Sequence, residues 1–75
     1  MNMSEPRLRT LLRQAEKTKN AGKRAAAAQL YREIVAEEPD LVEAWLGLGE
    51  LSTDAAEKER AYQQALALDP ENVVA

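Results

Sequence analysis

The sequence predicts an all-α protein, a stack of antiparallel helical hairpins with about four helices. Fourteen of its 75 residues are Ala, against three Gly and three Pro, a composition that favours helix throughout. Apolar residues recur at three- and four-residue spacing in four separate stretches, the mark of helices with one buried face. The breaks between those stretches are short, and short connections between helices of similar length make neighbours antiparallel.

The first predicted helix runs from about Glu5 to Asn20. Ser4 is placed to cap it, and Pro6 falls in the first turn, where a missing N–H costs nothing. Leu8, Leu11, Leu12 and Ala15 form its apolar stripe, and Gly22 is the expected stop. The second helix runs from about Lys23 to Glu37, with Ala27, Leu30, Tyr31, Ile34 and Val35 on one face. Pro39 ends it, because the residue before a proline is pushed away from helical geometry. The third starts at Asp40, which with Glu43 has capping-box spacing. Its stripe is Leu41, Ala44, Trp45, Leu48 and Leu51. Ser52-Thr53-Asp54 breaks the chain, and Asp54 with Glu57 repeats the capping-box spacing. The fourth helix carries Ala61, Tyr62, Ala65, Leu66 and Leu68 and is closed by Pro70.

Composition excludes several functions. There is no His and no Cys, so the commonest general base, the usual metal ligands and any disulfide are missing. A Ser nucleophile would lack a base beside it, and no catalysis, cofactor or metal is expected. The carboxylates at Glu37, Glu38, Glu57 and Glu59 read as solvated helix faces and caps. Gly47-x-Gly49 lies within a helical stripe and lacks the preceding strand of a phosphate-binding loop. No apolar run approaches the roughly 18 residues of a membrane span. The first residues lack the apolar stretch of a secretory signal, so the expected location is the cytoplasm.

Charge divides along the chain. Residues 1–35 hold eight Lys/Arg and three Glu, a balance of +5, and residues 36–75 hold two Lys/Arg and ten Asp/Glu, a balance of −8. Such a dipole suits head-to-tail association or an acidic partner on the basic half. Arg9, Arg13 and Lys17 recur every four residues as a ridge, extended by Lys23 and Arg24. It is a candidate for binding anions or nucleic acid, although an ordinary exposed face next to Glu16 is the preferred reading. Without interleaved aromatics for base stacking, nucleic acid is the weaker reading. A membrane-surface role for the first helix competes with a core role for the same leucines, and the core role is preferred.

The chain also repeats itself. Glu37-Glu38-Pro39-Asp40 and Leu68-Asp69-Pro70-Glu71 share a pattern, with the two prolines 31 residues apart. Tyr31 and Tyr62 each precede their proline by eight residues, and Ile34 and Ala65 by five. The second and fourth helices are therefore one element in two copies. With Trp45, Leu48 and Gly49 in the third helix and Tyr62, Ala65 and Pro70 in the fourth, the chain resembles the tetratricopeptide repeat family. In the earlier copy Leu11 and Ala15 take the Trp and Gly places, followed by Ala27, Tyr31, Ile34 and Pro39. The resemblance covers residues 8–72: repeat 1 is 8–41, preceded by a segment 1–7 leading into the first helix, and a shortened repeat 2 is 42–72. Residues 73–75 read as the start of a truncated third repeat or a tail.

Four residues depart from the family pattern: Gln14 at a usually apolar place, Thr18 and Ser52 at aromatic places, and Lys58 at an Ala place. The second copy is three residues short between Glu50 and Lys58, which predicts a tighter turn. The resemblance makes Trp45 a buried packing residue and implies hairpins stacked as a short right-handed superhelix. It also implies a protein–protein interaction or scaffold module whose concave groove is lined by Arg9, Leu12, Arg13 and Glu16 and by Glu43, Leu46, Gly47 and Glu50. Glu16 and Gly47 stand where carboxylate-binding members carry asparagines, so capture of a C-terminal carboxylate is not expected. Leu12 and Leu46 offer an apolar strip instead, edged by Arg13 and by Glu43 and Glu50. The alternative is self-association, as a homodimer burying Leu66, Leu68, Val73 and Val74.

Overall fold

Four helices form where the apolar stripes fall: α1 (Glu5–Asn20), α2 (Arg24–Glu37), α3 (Val42–Leu51) and α4 (Ala55–Leu68). The structure, a computed structural model, describes residues 5–71. Ser4, Val73 and Val74 lie outside the described residues. The fold is all-α, and each helix packs on the next: α1 on α2, α2 on α3 and α3 on α4.

Gly22 stops α1 as expected, with φ of +84°, a left-handed conformation that glycine adopts without steric cost. Its N–H donates to the Lys19 carbonyl at 2.9 Å, and the Lys23 N–H reaches the Thr18 carbonyl at 3.1 Å. Together these bonds form a Schellman motif that satisfies the carbonyls of the last turn. The α2–α3 connection departs from expectation at its far end. Helix α3 begins at Val42 rather than Asp40, with Leu41 in the cap position and no side-chain cap bond, so Asp40 is not a cap. What fixes this corner is Trp45, whose indole Nε1 donates to the Pro39 carbonyl at 2.7 Å. The indole is half-buried rather than buried, because its polar edge must face the turn.

At α4 the Asp54 carboxylate accepts the Ala56 N–H at 3.1 Å and caps the helix. Glu57 does not complete a capping box with it; its carboxylate turns to Ser52 and Arg32 instead. The missing three residues of the second copy are not taken from the turn. Residues 21–23 and 52–54 make turns of equal length. Helix α1 runs five residues past Ala15 whereas α3 runs two past Gly49, so the deletion shortens the end of α3.

The core consists of Leu8, Ala15, Ala27, Ala28, Tyr31, Ile34, Val35, Ala44, Leu48, Leu51 and Ala61, with Leu11, Leu12, Leu30, Leu41 and Trp45 packed against it. Much of it is Ala, so the helices approach closely and small residues set their spacing. Among the described residues no helix is long and apolar enough to cross a membrane.

Candidate functional site

The residues predicted to line a groove lie on α1 and α3. Arg9, Arg13 and Glu16 on α1 are exposed, as are Glu43 and Glu50 on α3, while Leu12 and Leu46 are half-buried. Lys19 reaches Glu50 at 3.4 Å, so the C-terminal ends of the two helices lie side by side. Glu16 stands one turn before Lys19 on α1. Glu43, Gly47 and Glu50 stand one turn apart on a single face of α3.

Gly47 differs from its expected role, since it is buried rather than lining the groove. A Cβ there would fall 2.5 Å from Cζ of Tyr31 and 2.6 and 2.7 Å from its two Cε atoms. The hydroxyl-bearing end of the Tyr31 ring, carried by α2, therefore lies directly on the α3 backbone between Glu43 and Glu50. The tyrosine as a whole is 3% exposed. Burial pushes its phenol pKa up, and the charges of Glu16, Glu50 and Glu43 push it further in that order. A glycine in a helix interior costs about 1 kcal/mol, so its presence between Leu46 and Leu48 was the available signal for a close approach.

The second glycine of the pair plays a milder part. A Cβ at Gly49 would meet the Tyr62 ring at 3.1 Å, and Tyr62 is 37% exposed. The remaining repeat anchors divide by burial: Ala15, Ala27, Ile34, Leu48 and Ala65 are buried, Leu11 is half-buried, and Pro39 and Pro70 are exposed.

A polar clamp on the other side of the hairpins was not foreseen, since Glu57 reads in sequence as a surface carboxylate. Arg32 of α2 donates from Nε and Nη2 to the two Glu57 oxygens at 2.7 and 2.9 Å. Ser52, itself 6% exposed, donates its hydroxyl to Glu57 Oε1 at 2.6 Å. The Arg32 fork, then the Ser52 hydroxyl, hold the Glu57 pKa down at about 2. Charge-assisted and bidentate, this is the strong kind of hydrogen bond, and it ties the first hairpin to the second. Beside it lies a cleft of about 300 Å³ lined by Arg24, Arg32, Leu51, Ser52 and Thr53. Both guanidiniums there are occupied, Arg32 by Glu57 and Arg24 by the Glu50 carbonyl at 3.3 Å.

On α1 the ridge of Arg9, Arg13 and Lys17 is exposed. On α4, Leu66 is 42% exposed one turn after Tyr62, and Leu68, 38% exposed, lies on another face of the helix. Among the described residues no group of three or more acidic side chains is arranged to hold a metal ion. Comparison of the chain with protein-family models, with curated proteins and with solved structures finds no match.

Proposed function

We propose that this chain is a protein–protein interaction module of tetratricopeptide type, binding a segment of a partner protein in a groove between α1 and α3. One observation carries the reading. Helices α2 and α4 have the same length, 14 residues, and end in the same way. The Glu38 N–H bonds the Ile34 carbonyl at 2.8 Å, and the Asp69 N–H bonds the Ala65 carbonyl at 2.9 Å, 31 residues further on. This likeness of α2 and α4 supports a repeated hairpin, and repeated hairpins generate extended binding surfaces by stacking. Leu12 and Leu46, 34 residues apart, leave an incompletely covered apolar strip on the first helix of each copy.

The reading assigns no catalytic step to the chain, which has neither His nor Cys, and it places the module in the cytoplasm. Selection of peptides from a displayed random library tests it. Leu12→Asp and Leu46→Asp should each abolish capture of the selected peptides while far-UV circular dichroism stays helical. Capture that survives both substitutions refutes the groove.

A second reading, self-association, is favoured by Tyr62 and Leu66, which share one exposed face of α4. Light scattering coupled to size exclusion from micromolar to millimolar concentration should then show a dimer that Leu66→Glu weakens. A folded monomer at every concentration removes this reading.

A further inference from the structure

The Tyr31 hydroxyl has no structural task in the fold. It makes no hydrogen bond among the described residues, although the residue around it is 97% removed from solvent on the 3% exposure above. Nor is the oxygen sealed in: among the described residues, no fully buried side-chain oxygen or nitrogen lacks a partner. The oxygen therefore keeps a narrow contact with solvent on a residue that is otherwise part of the core. The oxygen is brought to the groove by Gly47, whose missing side chain leaves room for the Cζ end of the ring. Glu43 and Glu50 stand one helical turn from Gly47 on either side, and the charge of Glu16 reaches the phenol from α1. Lys19 engages Glu50, whereas Glu16 and Glu43 make no hydrogen bond or ion pair among the described residues.

A phenol between carboxylates is a good receptor for a cation. Its oxygen accepts from an ammonium or guanidinium while its proton remains available to a carboxylate. Cations on aliphatic stems also suit the surroundings, because the stem of Lys or Arg packs on apolar surface while the head stays polar. Leu12 and Leu46 supply that surface. On α1 Glu16 is the single acid among Arg13, Lys17 and Lys19, so most of the negative charge at the site comes from α3.

We propose that the groove selects a partner segment bearing a Lys or Arg, with the cationic head on the Tyr31 hydroxyl between Glu16, Glu43 and Glu50 and the neighbouring apolar residues on Leu12 and Leu46. This rests on the groove reading above and adds the chemistry of its ligand.

The test is a titration of the ¹⁵N-labelled full chain with acetyl-Ala-Leu-Arg-Leu-Ala-amide and with its citrulline counterpart, a neutral isostere. The arginine peptide should give saturable shifts at the Glu16, Glu43, Gly47 and Glu50 amides with a Kd on the order of 1 mM. The citrulline peptide should bind the same place about three- to fivefold more weakly. Glu16→Gln combined with Glu43→Gln should abolish that preference. Tyr31→Phe, which keeps the ring on Gly47, should reduce it in part, with the helical signal intact. Glu59→Gln combined with Glu71→Gln, an equal change of net charge elsewhere, should leave it unchanged.

Equal binding of both peptides at Leu12 and Leu46 overturns the cation site and leaves the groove reading standing. Absence of shifts there with either peptide overturns both. Loss of the preference in the Glu59/Glu71 control overturns the site in favour of bulk charge.

Discussion

Replacing each of the two glycines of α3 by alanine should move stability in opposite directions. Both substitutions gain about 1 kcal/mol from helix propensity, because Gly is poor in a helix interior. At Gly49 little opposes the gain: the new Cβ stands 3.1 Å from a ring that is 37% exposed and swings outward by a few tenths of an ångström. Gly49→Ala should therefore be neutral or stabilising by up to about 1 kcal/mol. At Gly47 the Cβ stands 2.5 Å from Tyr31 Cζ, and ordinary contact begins at 3.4 Å. The ring must retreat by nearly an ångström from a core in which it is 3% exposed. Overpacking of this kind costs about 1–3 kcal/mol, which outweighs the propensity gain. Gly47→Ala should lose about 1 kcal/mol net, a fall in Tm of about 4–8 °C for a domain of this size. Urea unfolding followed by circular dichroism measures both. In a Tyr31→Ala background the same Gly47→Ala change should become stabilising, which isolates the ring as the cause. Gly47→Ala as stable as Gly49→Ala in the unmodified background would refute the close approach and with it the delivery of the Tyr31 hydroxyl to the groove.

Three further outcomes follow from the packing and the clamp. Glu57 titrates from an ordinary 4.5 down to about 2, so its contribution is complete above about pH 4.5 and lost as pH falls toward 2. Allowing for an Arg32 side chain that is 41% exposed, Glu57→Gln should cost about 1–2 kcal/mol at pH 7. Urea unfolding from pH 7 to pH 2 should show the gap to the unmodified chain closing, and a gap independent of pH contradicts the clamp. Ile34 is fully buried, so Ile34→Ala should lose about 3 kcal/mol; a loss below 1 kcal/mol in the same assay would mean that the α2 core face is wrong. Gly22→Ala, at φ +84° with open space around it, should lose about 1 kcal/mol through backbone strain alone. Gly22→Asn should lose less, and equal losses would contradict a left-handed stop.

The helices and their buried faces were legible in the sequence because apolar spacing and Gly/Pro punctuation are local signals. Gly22, Pro39 and the Asp54 cap act within a few residues of themselves, and each breaks the chain where expected. Repeat spacing carried information over longer range, pairing Tyr31 with Tyr62 and Ile34 with Ala65. What escaped was set by contacts between elements. Asp40 looks like a cap until Leu41 takes the position and Trp45 bonds the Pro39 carbonyl. The shortened second copy suggests a tight turn, yet the turns 21–23 and 52–54 are equally long and the loss falls at the end of α3. Glu57 reads as a surface carboxylate because nothing nearby in sequence shows that Arg32, 25 residues earlier, folds across to meet it. The candidate site was half legible: Leu12, Leu46 and the three glutamates follow from register, whereas the place of the Tyr31 ring end depends on Gly47 lying against α2.

The central claim is that the α1–α3 groove, rather than the exposed face of α4, is the surface that meets a partner. Photo-crosslinking separates the two most directly, with p-benzoylphenylalanine placed in turn at position 46 and at position 66 and irradiated with library-selected peptides present. Crosslinks to peptide from position 46, and none from position 66, are the result the account predicts. Crosslinks from position 66 alone, to peptide or to a second copy of the chain, would contradict it.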